Sequence, residues 1–302
     1  MFRLGHLSDV HLGAVPRLRF KDVFTKRIIG YSNWRRTRAH ALTSETLDRL
    51  VADLRAQQPD HIVVTGDLTN IARREEFENA RAWLEELGPP AKVTAIPGNH
   101  DAYVPGAHRR FRRLWAPWMA SDDAEFVGHA LFPFMRRKDH VALIGVSSAV
   151  ASAPFMATGR VGKSQTERLT ALLEEAKGEG LFRVILIHHP PKLIDPRHQW
   201  RKLTDGWRFR RAVERSGAEL ILHGHDHMRM MTSIRGASGV VPVVGVPAAG
   251  APATGGPRAG GYAIHEIVEA GPSYALTVIH RGFSKDGAIV ETARVAYSVN
   301  RP

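Results

Sequence analysis

The stretch "VTAIPGNHDAY" ends an apolar run of strand type, Val93 to Ile96, with Pro97-Gly98 and then Asn99, His100 and Asp101 in a row. Three polar, coordinating side chains at a strand end either cap the next element or are presented to a ligand. The arrangement recurs. Asp9 and His11 follow "FRLGHL", Asp67 follows "HIVVTG", His188 ends "RVILI", and His225 and His227 follow "ELILHG". Carboxylate, carboxamide and imidazole groups bind cations and transfer protons. Each piece alone has a plainer account: Asp67 after Gly66 suits a helix N-cap, Asn99 and Asp101 suit a turn, and a histidine at a strand end is commonly held by a hydrogen bond. Placement of these carboxylate, carboxamide and imidazole side chains at the ends of five separate strands is improbable as chance. In open α/β sheets the carboxyl ends of the strands are where ligands sit.

The elements that must position these groups are legible. β-branched runs, "VALIGV" among them, alternate with helical stretches such as Leu47, Leu50, Val51 and Leu54, so a layered α/β fold is expected. "SQTERLTALLEEA" opens with a capping-box pattern, Ser164 as N-cap and Glu167 three residues on. From about residue 240 to 302 the texture becomes β-rich, and 248–261 reads as a mobile Gly/Pro/Ala loop. The 302 residues are 43% hydrophobic and 24% charged, which is ordinary for a globular chain. A net charge of +12 favours anionic partners. No cysteine is present, which excludes disulfides, thiolate nucleophiles and Cys-based zinc sites. The opening residues lack a secretory-signal pattern and no apolar run reaches bilayer-spanning length, so a cytoplasmic protein is expected.

Taken together, Asp9-x-His11, Gly66-Asp67, Gly98-Asn99-His100-Asp101, His188 and Gly224-His225-Asp226-His227 resemble the motif set of the calcineurin-like metallophosphoesterases. The texture of "SDVHLG", "GDLTN", "IPGNHD", "IHHPP" and "HGHDH" is most similar to the bacterial class III cyclic nucleotide phosphodiesterases. The resemblance implies one metallophosphoesterase domain over 1–302, a four-layer αββα sandwich whose β-rich C-terminal part completes the second sheet. It implies two divalent transition-metal ions, one held by Asp9, His11, Asp67 and His227 and the other by Asp67, Asn99, His188 and His225. Mixed N/O ligation agrees with Mn, Fe, Zn or Co, and a shared Asp67 carboxylate would relieve repulsion between the ions. His100 is then implied to contact phosphate and protonate the leaving alkoxide, with Asp101 orienting it or bracing the loop. Asn99 and His100 would touch substrate. Asp226 would support the neighbouring ligands, and His189 stands between a place in the substrate pocket and a structural hydrogen bond. His6 and His223 read as structural.

Residues 17–38 carry eight Lys/Arg against one Asp, interleaved with Phe20, Phe24, Ile28, Ile29, Tyr31 and Trp34. The segment is a basic cap over the site or a surface for anionic lipid or nucleic acid. The expected activity is hydrolysis of a small phosphodiester, a cyclic nucleotide first, through in-line attack by a hydroxide shared between two ions. Hydrolysis of a lipid-linked phosphate or pyrophosphate, peripheral at the membrane surface, is the second reading. Nuclease activity ranks lower without a separate nucleic-acid domain, and a homodimer remains open. A catalytically silent scaffold of the same fold would show gaps among the ligands, and there are none.

Overall fold

The computed structural model describes residues 1–13, 15, 16, 18, 20–22, 25–37, 44–122 and 132–302. Arg17, Arg19, Phe24 and Arg38 of the basic segment lie outside the described residues, as do the side chains of Lys21 and Arg36.

In chain order the elements are β1 (Phe2–Leu7), α1 (Arg27–Thr37), α2 (Ser44–Ala56), β2 (His61–Val64), α3 (Arg74–Leu87), β3 (Val93–Ala95), α4 (His108–Leu114), β4 (Phe134–Lys138), β5 (Val141–Gly145), α5 (Lys163–Gly178), β6 (Phe182–Leu186), α6 (Gly206–Ser216), β7 (Leu220–His223), β8 (Met230–Gly236), β9 (Gly239–Gly245), β10 (Gly261–Ala270), β11 (Ser273–Phe283) and β12 (Ile289–Asn300). They build two six-stranded sheets, in the orders β12-β11-β10-β1-β2-β3 and β4-β5-β6-β7-β9-β8. The period of two in each strand divides its side chains between two cores. On β6, Phe182, Val184 and Leu186 face the first sheet, whereas Ile185 and, just beyond the strand, Ile187 pack with Leu169 and Leu173 of α5 and Phe209 and Val213 of α6. On the opposite flank Gly5 of β1 lies so close to Leu54 of α2 that a Cβ would stand 2.8 Å from it. The result is helices, sheet, sheet, helices, an αββα sandwich.

The C-terminal part divides between the sheets. β9 joins β7 in the second, while in the first β10 pairs antiparallel with β1 and β11 and β12 follow it as an antiparallel meander. The start of α5 also differs from the capping-box expectation. The helix begins at Lys163, with Gly162 as N-cap at φ +83°. The Asp205 carboxylate accepts from the N–H groups of Val161 (3.0 Å) and Gly162 (2.7 Å). Ser164 is therefore inside the first turn and accepts from Arg168 (2.6 Å).

The largely apolar space between the sheets also holds polar side chains. Arg136 of β4, buried, donates to the carbonyls of Ala120 (2.6 Å), Pro90 (2.6 Å) and Val93 (3.0 Å), tying the two sheets together at one edge. His6, His265 and His280 share the inner face of the first sheet by register, with the His6 and His265 rings 5.8 Å apart. His265 and His280 have no hydrogen-bond partner on either ring nitrogen among the described residues. Burial, then the neighbouring imidazole, holds His265 down at about 3; burial, then Arg229, holds His280 at about 4. Histidine in the unfolded chain titrates near 6.5. Below that pH the unfolded state therefore binds protons that the folded state refuses, and stability falls as pH drops from 6.5 toward these values. Each such histidine adds a slope of about 1.4 kcal/mol per pH unit. Urea unfolding between pH 7.5 and 5 should show the decline, and His265→Leu should flatten it; an unchanged slope would remove His265 from this account.

Candidate metal centre

The five strands that precede the candidate ligands are parallel within their own sheets, β1 with β2 and β3, and β6 with β7. Their carboxyl ends emerge at a common edge of the sandwich. The loops beyond continue the ladder for a few residues: Asp9 N–H donates to Gly66 O (3.0 Å), His11 N–H to Asp67 O (2.9 Å) and Gly224 N–H to His188 O (3.1 Å). Within these loops the backbone is left-handed at Asp9 (φ +52°), His11 (+49°), Asp67 (+55°), His225 (+71°) and His227 (+52°). That conformation is uncommon outside glycine, and Asp and His are among the side chains that enter it most readily. Left-handed and ordinary residues alternate over 9–11 and 225–227, and the loops bring Asp9, His11, Asp67 and His227 to one point.

The side chains converge. One ligand atom each from Asp9, His11, Asp67 and His227 lies within 4.8 Å of all the others. His227 Nε2 is 3.0 Å from Asp9 Oδ1 without the alignment of a hydrogen bond, so both atoms face a shared space. His11 Nε2 is 3.4 Å from His227 Nε2, and its Nδ1 is held by the Thr69 carbonyl (3.2 Å). Next to this group, His188 Nε2 lies 3.1 Å from Asn99 Oδ1 and 3.3 Å from Asp67 Oδ2. His188 Nδ1 donates to Thr65 O (2.7 Å), and His225 Nε2 to Arg201 O (3.0 Å), which leaves His188 Nε2 and His225 Nδ1 as lone-pair donors. Asp67 Oδ2 is also the carboxylate atom nearest His11 Nε2, at 4.0 Å, so this oxygen stands between the two groups. Buried imidazole and carboxylate atoms that face one another with their outer nitrogens already bonded fit a pair of borderline divalent ions.

Electrostatics reinforce the point. Burial would raise Asp9 and Asp67, but the imidazoles around them, His227 for Asp9 and His188 for Asp67, hold both well below the usual carboxylate range. Burial would lower His188, yet the Asp67 and Asp9 carboxylates push it up to about 9. Two fixed negative charges at the floor attract positive charge.

Asp101 is buried beneath the ligands. Its carboxylate accepts from the N–H groups of Gly98 (2.8 Å), Asp67 (3.0 Å), Leu68 (3.4 Å) and Thr69 (2.9 Å) and from the Thr69 hydroxyl (2.9 Å). It braces the β2 and β3 loops rather than touching the His100 ring. Burial, then the Asp67 charge, pushes it up to about 7. From the other side Glu76 accepts from the N–H groups of Asn70 (2.7 Å) and Arg73 (2.7 Å) as part of the α3 capping box. His100 Nδ1 is bonded to the Asn70 carbonyl, and its ring stacks on Tyr103 at 5.5 Å.

His189 departs from a place in the substrate pocket. It is fully buried, its Nδ1 bonds Ser148 Oγ (2.7 Å) and its Nε2 the Ala157 carbonyl (3.2 Å). Asp226 lies 3.8 Å from Arg201, beside the ligands. His6 Nε2 bonds Thr65 Oγ1 (2.9 Å), within the intersheet layer.

A cavity of about 680 Å³ opens over the cluster, with Asp67, Asn99, His100, His225 and His227 at its floor. One wall is α1, through Ile28, Ile29, Gly30, Ser32, Asn33 and Trp34. Part of the basic charge of this segment is spent internally: Arg27 donates to Ile71 O (3.0 Å) and pairs with Asp22 (3.0 Å), which also meets Arg73. The other wall comes from Phe155, Met156, Trp200 and Arg201. Sequence reasoning did not find these or Lys26 as lining residues, because they lie far from the motifs along the chain, and it did not single out Asn70 and Tyr103, which end two of the motif stretches without a distinctive type or spacing.

The model of the family described as calcineurin-like phosphoesterase matches residues 2–229. The chain is 30% identical over 184 residues to the glycerophosphodiester phosphodiesterase GpdQ of Enterobacter lignolyticus, covering 60% of this chain and 61% of that protein. It is 27% identical over 188 residues to a Synechococcus protein named a probable cyclic nucleotide phosphodiesterase, covering 62% and 65%. The matches thus span less than two thirds of the length of either relative. A dimetal phosphatase from Danio rerio shares the fold, with a TM-score of 0.62 and 13% identity over 99% of both chains. The chain belongs to the calcineurin-like phosphoesterase family, and Asp9, His11, Asp67 and His227 form a group that could hold a metal ion.

The bracing role of Asp101 generates a test. Asp101→Asn turns an amide toward backbone donors, which leaves buried N–H groups without acceptors at about 1–3 kcal/mol each. Thermal stability and retained metal should both fall, and excess metal should restore part of the activity. Full metal retention with lost turnover would instead give Asp101 a chemical role.

Proposed function

We propose that the protein hydrolyses phosphodiesters at a centre in which Asp9, His11, Asp67 and His227 hold one divalent ion and Asp67, Asn99, His188 and His225 the other. The observation that carries this reading is the clustering of Asp9, His11, Asp67 and His227, with His188 and Asn99 adjoining Asp67, beneath an open cavity that His100, His225 and His227 line. When bound, such a pair supplies Lewis acidity toward phosphoryl oxygen and an acidified water. The chain's own groups do the rest. Asp67 Oδ2 sits between the two ligand sets, while Asp67 Oδ1 accepts the His100 N–H (2.7 Å) and fixes that loop. His100 keeps a proton on Nδ1 against the Asn70 carbonyl, so its Nε2 is the nitrogen that gives a proton to the leaving alkoxide. Lys26 and Arg201 on the walls suit an anion. The names of the two relatives support a phosphodiester, and the cavity, floored by ligands and walled partly by apolar side chains, supports a cyclic nucleotide as the first substrate to try.

Active protein should contain two divalent ions per chain and lose hydrolysis on chelation; metal analysis showing none in active protein would end the proposal. Among bis-nitrophenyl phosphate, 3′,5′- and 2′,3′-cyclic nucleotides and lipid pyrophosphates, the cyclic nucleotides should be turned over with the highest kcat/KM.

His100→Ala should keep its metal and lose about 10²–10⁴-fold in turnover. The loss should shrink for nitrophenyl esters, whose leaving group needs little protonation. Equal losses on nitrophenyl and alkyl esters would assign His100 to phosphate binding alone.

A further inference from the structure

Phe155 is held in a conformation that its side chain does not favour. Its backbone is left-handed, φ +62°, a genuine outlier for a bulky residue. The ring is 78% exposed and lines the cavity mouth. Strain of this kind persists only where the surroundings over-determine it, and here they do. Ser152 Oγ–H donates to Met156 O (2.6 Å), Met156 N–H to Ala153 O (3.1 Å), and Ala157 N–H to Trp200 O (2.8 Å). Lys26, at the start of the cap, donates to Ser152 Oγ (2.9 Å) and Met156 O (2.6 Å). The turn is therefore clamped from the cap on one side and from the Trp200 segment on the other. An exposed ring on a strained turn adds no core packing, so fold stability does not explain it. Two further apolar side chains stand at the same mouth half in solvent, Trp200 at 44% and Ile28 at 42% exposed. The floor is ionic and the rim aromatic, which matches a ligand that joins an anionic phosphate to a flat apolar ring.

We propose that Phe155 and Trp200 form a ring-binding subsite at the cavity mouth, so that the protein selects phosphodiesters bearing an aromatic group, an aryl or a nucleobase, over those bearing only small alkyl groups. This deepens the functional reading above and rests on it for the location of the phosphate. Stacking on an aromatic side chain contributes enough to shift affinity by about tenfold. The ring would lie against the rim while the phosphate reaches the ligand cluster, and Lys26 holds the rim in place without itself contacting the ring.

Calorimetric titration of the metal-loaded protein with diphenyl phosphate and dimethyl phosphate reads the subsite without turnover. Diphenyl phosphate should bind about tenfold more tightly. Phe155→Gly and Trp200→Ala should each bring the two affinities within about twofold, with dimethyl phosphate binding and metal content unchanged, and Phe155→Trp should keep the preference. Phe155→Gly also removes the side chain that disfavours the left-handed backbone, so its melting temperature should hold or rise. Equal affinities in the native protein, a preference that survives both substitutions, or a melting temperature that falls in Phe155→Gly would each overturn the subsite. A preference for diphenyl phosphate combined with no hydrolysis of phenyl or methyl nitrophenyl phosphate would leave the subsite standing and overturn the phosphodiesterase reading.

Discussion

The buried Asp101 carboxylate is the contact on which the site depends. Four backbone N–H groups and one hydroxyl from two different loops end on its two oxygens. Those loops carry Asp67, Asn99 and His100, and without a common acceptor each would have to satisfy its donors separately. Gly98 allows the approach, since a Cβ there would stand 2.6 Å from the Asp67 amide nitrogen. A second buried carboxylate, Glu76, holds the far end of the same β2 loop and at the same time starts α3. The metal floor is therefore a product of backbone hydrogen bonding first and of ligand chemistry second.

Around that floor the sandwich divides its labour. Alternating strand residues fill two apolar cores, and the helices cover the outer faces. The intersheet layer also admits imidazoles and the buried Arg136 guanidinium, whose carbonyl partners come from the opposite sheet and its loops. The cap is not a loose appendage: Arg27 and Lys26 tie it to the loop after β2 and to the 152–157 turn respectively. Both walls of the cavity thus share fasteners with the fold.

Strand positions and the seven ligand candidates were legible because each strand is a short β-branched run and each ligand follows it within a few residues, often after a glycine. Local spacing is enough for that. The start of α5 was misjudged because a glycine with positive φ and a distant carboxylate, Asp205, do the work that a local Ser-x-x-Glu pattern usually does. The placement of β10 to β12 against β1 is a long-range pairing that no local period encodes. His189 could not be placed without knowing that Ser148 and Ala157 approach it from a separate loop. Phe155 and Trp200 carry no motif at all; only the closing of two irregular segments over the floor brings them to one mouth.

The left-handed backbone at five candidate ligand positions restricts the chemical alphabet of the centre. A side chain installed there must tolerate positive φ as well as donate to a cation, and Asp, Asn and His are the residues that do so at least cost. Glutamate and cysteine, serviceable ligands elsewhere, are handicapped by the main chain before coordination is considered. Redirecting the centre toward softer or larger ions is thus a problem of loop geometry, and grafting its ligands onto extended strands of another scaffold would reproduce the composition without the convergence.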